Sequence, residues 1–204
     1  MLKIHALALG DYQTNCYIIH DEASESCAVI DPGYEPERVL KKVTELGLTV
    51  DAVLLTHGHF DHAGGVRAIV EATGCQLWMS EGDWSQKINP TTRFLYPLAN
   101  CDFTEVQFFE DQEQITAGGL TLTVLSTPGH TWGSVCFLCE ESLFSGDTLF
   151  ARSCGRTDLP GGDWNTIRHS LKRLSLLSPN LRVYPGHGDV TTLFDEIQNN
   201  PYML

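Results

Sequence analysis

The stretch Thr56-His57-Gly58-His59-Phe60-Asp61-His62 sets four potential metal ligands within six residues, and no other feature constrains the chain as strongly. On a helix, at ~100° per residue, two imidazoles at i and i+2 diverge by about 200°, so one helical face cannot present both. On an extended segment they project to the same side. The preceding run, Asp51-Ala52-Val53-Leu54-Leu55-Thr56, is apolar in the manner of a buried strand. After Ala63-Gly64-Gly65 the residues from Val66 to Glu71 have helical character. His57, His59, Asp61 and His62 are thus expected at the carboxyl end of a strand, with Gly58 freeing the backbone to turn between the first two.

Five of the eight His fall in such settings. His130 follows the apolar run Leu120 to Leu125 in Thr127-Pro128-Gly129-His130-Thr131, and His187 lies in Val183-Tyr184-Pro185-Gly186-His187-Gly188. Asp147 occupies a comparable position in Phe144-Ser145-Gly146-Asp147-Thr148. His5, His20 and His169 lack this context and read as structural or solvent-facing. Imidazoles with carboxylates suit Zn²⁺ and also Fe or Mn, and the absence of a Cys ligand speaks against a purely soft site.

In this order the seven residues resemble the ligand set of the metallo-β-lactamase-fold hydrolases, over nearly the whole chain. The resemblance implies a first metal site of His57, His59 and His130, a second of Asp61, His62 and His187, and Asp147 as the bridge. Asp61 and Asp147 are then the catalytic carboxylates. Two divalent ions, Zn first and Fe or Mn as alternatives, would sit ~3.5–4 Å apart, lower the pKa of a shared water toward ~7 and polarise an acyl carbonyl. Asp31, closing a strand in Asp31-Pro32-Gly33, orients the metal loop in relatives, or else is a turn carboxylate.

Departures narrow the branch. Sulfur-ligand β-lactamases carry Cys where this chain has Asp147, and the oxygen-reducing diiron branch has Glu at the position of His59. The remaining pattern looks like glyoxalase II, which hydrolyses S-(2-hydroxyacyl)glutathione thioesters. Ser153-Cys154-Gly155-Arg156-Thr157-Asp158 resembles the Gly-Arg-Thr-Asp motif of short single-domain bacterial relatives. Arg156 is either the fork that binds a substrate carboxylate or a structural Arg held by Asp158. The chain ends at Leu204 without room for the helical glutathione-contact domain of the larger enzymes. The expected function is therefore hydrolysis of that substrate or a related small acyl thioester. A mononuclear iron persulfide dioxygenase, which shares Gly-Arg-Thr-Asp, is the alternative.

Composition excludes other classes. A net charge of −13 with thirteen scattered basic residues argues against nucleic acid. No run approaches the ~20 apolar residues that span a bilayer. The start, Met1 to Leu9, reads as a strand and not a signal peptide, which points to the cytoplasm. Seven Cys are expected as reduced thiols. Cys136-x-x-Cys139 lacks a second CxxC and sits in a strand-like segment, while Cys154 falls near the site.

The expected architecture is a single domain over residues 1–204, an α+β, four-layer αββα sandwich. Paired strands are expected at 15–19 and 27–30, 114–117 and 120–125, and 135–139 and 142–145, with further strands at 76–79 and 181–184. Helices are expected at 36–46 and 164–177, with a short one in the tail from 191. Residues 86–110 read as an irregular excursion with exposed aromatics, either a substrate wall or a packed connector.

Overall fold

Leu54 and its neighbours show how the layers arise. Along β4 (Thr49–Leu54), Ala52 and Leu54 face one apolar cluster while Val53, followed by Leu55, faces another, as the two-residue strand period demands. A strand buried on both faces needs a cover on each side. In the computed structural model, which describes residues 1–96, 98 and 106–203, one cover is helical and the other is a second sheet.

The first sheet runs β1 (Leu2–Leu9), β2 (Thr14–Asp21), β3 (Ser26–Ile30), β4, β5 (Gln76–Met79), β6 (Val106–Phe108) in spatial order. Its first three strands are antiparallel and the rest parallel. Helices α1 (Pro36–Glu45) and α3 (Val66–Thr73) cover its outer face through Val39, Val43, Val66 and Ile69. Between them, α2 (Phe60–Ala63) is a single turn.

The second sheet is β14 (Thr191–Thr192), β13 (Arg182–Pro185), β10 (Ser142–Gly146), β9 (Val135–Cys139), β8 (Leu120–Ser126), β7 (Gln114–Ala117). Phe137, Phe144, Leu122 and Val124 pack between the sheets. Helix α5 (Trp164–Leu174) covers the outer face through Ile167, Leu171 and Leu174, with Leu193 of α6 (Leu193–Asn199) joining the same cluster. Asp163 caps α5 by accepting from the Thr166 amide at 2.7 Å. The architecture is the expected αββα sandwich.

Local differences have identifiable reasons. Gly47, at φ 71°, turns the chain after α1, which ends at Glu45. Helix α5 stops at Leu174, three residues short of the expected end. Within 86–110, Val106–Phe108 is a parallel edge strand, and Phe109 is not an exposed aromatic but stacks on Trp78 with ring centroids 5.8 Å apart. Leu95 and Tyr96 are buried, whereas Phe94 is exposed. The remainder of that stretch, at 97 and 99–105, lies outside the described residues. Cys136 faces the α5 side and Cys139 the inter-sheet core, so the CxxC spacing brings no thiol pair together. His5 and His20 stack on one another at 5.5 Å, and His169 is exposed. No helix among the described residues is long and apolar enough to cross a membrane.

Candidate metal centre

Strands β3, β4, β8, β10 and β13 all end at one edge of the sandwich, and the residues following them form the site. The order is Asp31 after β3, His57 and His59 after β4, His130 after β8, Asp147 after β10 and His187 after β13. Helix α2 adds Asp61 and His62 one turn beyond His59, whose backbone is extended at φ −65°, ψ 152°.

The seven expected residues converge. His57, His59 and His130 bring one ligand atom each to within 4.8 Å of one another, and Asp61, His62 and His187 do the same. Asp147 lies between the two triads. Its Oδ1 is 3.3 Å from His62 Nε2, and its Oδ2 is 3.6 Å from both His130 Nε2 and His187 Nε2. Asp61 Oδ2 stands 3.2 Å from His187 Nε2.

Four of the five rings are held through Nδ1. His57 Nδ1 meets Thr56 Oγ1 at 3.1 Å, His62 Nδ1 meets Asp31 Oδ2 at 2.9 Å, His130 Nδ1 meets the Arg156 carbonyl at 2.8 Å, and His187 Nδ1 meets the Tyr12 carbonyl at 3.1 Å. Each acceptor fixes a proton on Nδ1 and turns the Nε2 lone pair inward, the arrangement that orients metal-binding imidazoles. His59 differs, with Nδ1 3.0 Å from His130 Nε2. The Nε2 atoms of His57 and His59 and Oδ1 of Asp147 are buried with no hydrogen-bond partner among the described residues. Buried polar atoms are seldom left so, and a cation at each triad fits this donor set.

Charge tells the same story. Burial, with His62, His130 and His59 close by, pushes His57 well below the usual imidazole range, and burial with His130 takes His59 down to about 3. Burial also opposes charge on His62, but Asp147 and Asp31 outweigh it and hold the ring well above its ordinary value. Burial acts against the Asp147 carboxylate too, yet His62 keeps it well below the usual range. One triad thus sheds protons and leaves neutral imidazoles free for a cation, while the other gathers positive charge around its carboxylates, where a divalent cation would have to displace protons.

Asp31 is close enough to His57 and His62 to form a third grouping. Its oxygens are already engaged, however: Oδ1 accepts from the Thr56 amide at 2.8 Å, and Oδ2 accepts from Thr56 Oγ1 at 2.6 Å and from His62. It therefore orients the loop, and the turn-carboxylate alternative falls. Gly58 corrects another expectation. It has no left-handed backbone, and a Cβ there would lie 2.7 Å from Tyr96 Cδ1. Close approach of Tyr96, not freedom to turn, requires glycine.

A cavity of about 510 Å³ opens over the site. Tyr12, Phe60, Leu95, Phe150 and Leu159 form apolar walls, and His59, Asp61, His130, Asp147 and His187 form the floor. Arg156 and Cys154 also line it. The hairpin of β11 (Leu149–Phe150) and β12 (Ser153–Cys154) supplies one wall. The Arg156 fork is engaged by Asp158, with Nε–Oδ1 at 2.7 Å and Nη2–Oδ2 at 2.8 Å. A hollow of about 500 Å³ beside α5 is lined by Arg168, His169 and Lys172 and contains none of the triad residues.

Residues that the sequence reading missed include Tyr12, whose carbonyl holds His187, and Asp83, which accepts hydrogen bonds from the loops on either side of the first triad. No local pattern distinguishes either from a loop tyrosine or a turn aspartate.

A two-sheet sandwich with paired His/Asp triads at one strand edge defines a class, the metal-dependent hydrolases of this fold. The Metallo-beta-lactamase superfamily model matches residues 9–187, and the chain belongs to that superfamily. Hydroxyacylglutathione hydrolase GloC of Haemophilus influenzae is 33% identical over 209 residues, covering 99% of this chain and 98% of the relative. Among solved structures, TTHA1623 in a di-iron-bound form matches at TM-score 0.85 and 37% identity, over 97% of this chain and 99% of that one. BLEG-1 B3 metallo-β-lactamase matches at TM-score 0.83 and 32% identity, over 100% of this chain and 99% of that one.

Proposed function

We propose that the protein is a dinuclear metal-dependent thioesterase of glyoxalase II type, cleaving S-(2-hydroxyacyl)glutathione or a related small acyl thioester. The observation that carries this reading is the Asp147 carboxylate, within 3.3–3.6 Å of ring nitrogens from both triads. A carboxylate so placed could serve two ions at once. We assign His57, His59 and His130 to the first ion, Asp61, His62 and His187 to the second, and Asp147 to both. Zinc suits these donors, and iron is equally compatible, as the di-iron form of TTHA1623 illustrates for a relative. Bound as a pair, such ions would supply an acidified water and an electrophile for the acyl oxygen.

The remaining chemistry belongs to the chain. Apolar walls from Tyr12, Phe60, Leu95, Phe150 and Leu159 shield the reacting carbonyl from bulk water. Arg156 stands at the rim to receive a substrate carboxylate. Its present partner Asp158 is exposed, so a substrate carboxylate can compete with it for the fork in water. The name of the GloC relative supports a glutathione thioester.

The test joins elemental analysis to a substrate panel. Two divalent ions per chain with hydrolysis of 2-hydroxyacyl thioesters support the proposal. One iron per chain with oxygen uptake on a persulfide substrate would replace it with the dioxygenase alternative. β-Lactam turnover exceeding thioester turnover would also overturn it.

A further inference from the structure

Asp83 is a carboxylate with no place in either triad and no part in the cavity wall. It sits in the single turn α4 (Glu81–Trp84) and is 1% exposed. A buried carboxylate is costly unless hydrogen bonds meet its charge. Among the described residues no Lys or Arg pairs with it. Its donors are the Gly58 amide at 2.8 Å and Thr131 Oγ1 at 2.9 Å, both to Oδ2, and the Gly133 amide at 2.9 Å to Oδ1.

The position of those donors gives the arrangement its meaning. Gly58 separates His57 from His59, and Thr131 follows His130. One side chain therefore joins the loop after β4 of the first sheet to the loop after β8 of the second, and these two loops carry the whole first triad. The contact leaves no slack. A Cβ at Gly133 would lie 2.8 Å from Asp83 Cγ, and one at Gly58 would lie 3.3 Å from Asp83 Cβ. Asp31 backs the second triad through His62, and it reaches the first as well, because Thr56, which it holds by amide and hydroxyl, meets His57 Nδ1. The cage is thus backed by two buried carboxylates, of which Asp83 bonds only the loops of the first triad.

We infer that Asp83 is the positioning residue of the first metal site, its carboxylate fixing how far His57 and His59 stand from His130. The inference rests on the two-site reading above. Loss of the carboxylate leaves the second triad intact, so the effect is selective between two ions a few ångströms apart. General weakening of the fold would not discriminate in that way.

The experiment loads wild type and Asp83→Asn with excess divalent zinc, removes the unbound ion, and measures metal per chain, circular dichroism and thermal midpoint. Asn keeps the side-chain volume but has one oxygen for three donors, so either way round its NH₂ meets a backbone amide, that of Gly58 or that of Gly133. Wild type is expected to hold two ions and Asp83→Asn one, with affinity for the lost ion down about 10–100-fold, as for other residues that orient metal ligands. Combining Asp83→Asn with His57→Ala should lower the metal count no further, whereas combining it with His187→Ala should remove both ions. Thr131→Val, which deletes one donor and spares the carboxylate, gives a milder form of the same selective loss and serves if Asp83→Asn does not fold. Two ions held at wild-type affinity in Asp83→Asn, or parallel loss of both, overturns the assignment. If wild type itself holds one ion, the two-site reading fails separately, and Asp83 is then judged on that ion: unchanged affinity overturns its role, weakened affinity upholds it.

Discussion

Replacing Asp31 by Asn tests how the second triad is held. In the native protein Oδ1 accepts from the Thr56 amide at 2.8 Å, while Oδ2 accepts from Thr56 Oγ1 at 2.6 Å and from His62 Nδ1 at 2.9 Å. Asn has one oxygen for three donors; held toward the Thr56 amide, the donor that cannot turn away, it sets an NH₂ group against the other two. The Thr56 hydroxyl can rotate to accept. His62 cannot adapt so simply: its Nδ1 must give up the proton, which then resides on Nε2 and points at the metal. Two bonds to a charged acceptor, about 1.5–3 kcal/mol each, become neutral ones of about 0.5–1.5 kcal/mol. The difference is about 2 kcal/mol, or roughly 4–8 °C in Tm for a chain of this size. Binding at the second site should fall about 10–100-fold, which is ~1.4–2.8 kcal/mol. Thermal denaturation of metal-free protein measures the first quantity, and chelator competition measures the second. Wild-type affinity at both sites in Asp31→Asn would refute the argument that this carboxylate sets the His62 tautomer.

Four other substitutions probe separate parts of the molecule. Arg156→Ala should raise KM for acidic thioesters well beyond its effect on neutral ones, and Asp158→Ala should lower KM for acidic substrates by up to about fivefold, the worth of an exposed ion pair; equal effects on both substrate types would make Arg156 structural. Gly186→Ala would drive a Cβ into Asp147 Oδ1 and to 2.7 Å from His62 Cε1. Circular dichroism should then remain native while bound metal and kcat fall together, and full metal content would disprove the collision. Phe137→Ala empties a fully buried position between the sheets. Urea denaturation should show a loss of about 3–5 kcal/mol, and a loss under ~1 kcal/mol would mean that the inter-sheet core is not packed as described.

The clustered His and Asp positions and the layered fold were open to reading from the chain because both are periodic or local. His57-x-His59-x-Asp61-His62 works over a few residues, and the strand before it announces burial on both faces by an unbroken apolar run. Helices α1 and α5 likewise show their buried stripes at 3.6-residue spacing, in Val39 and Val43 and in Ile167, Leu171 and Leu174. Strand β6 went unread because it has three residues at a sheet edge, too few to establish a period. Arg156 was legible as a choice between two roles, since sequence gives proximity to Asp158 but not the geometry of its fork.

The sequence by itself determined which His and Asp side chains gather, in what order, and at which strand ends. Tertiary structure alone decided what holds them: Asp31 beneath His62, Asp83 between the loops of the first triad, the Arg156 and Tyr12 carbonyls behind His130 and His187, and Tyr96 against Gly58. The physical reason is range. A ligand motif follows from side chains a few bonds apart, whereas the hydrogen bonds that aim it join residues 25 to 175 positions apart along the chain, and such partners exist only once both sheets have packed.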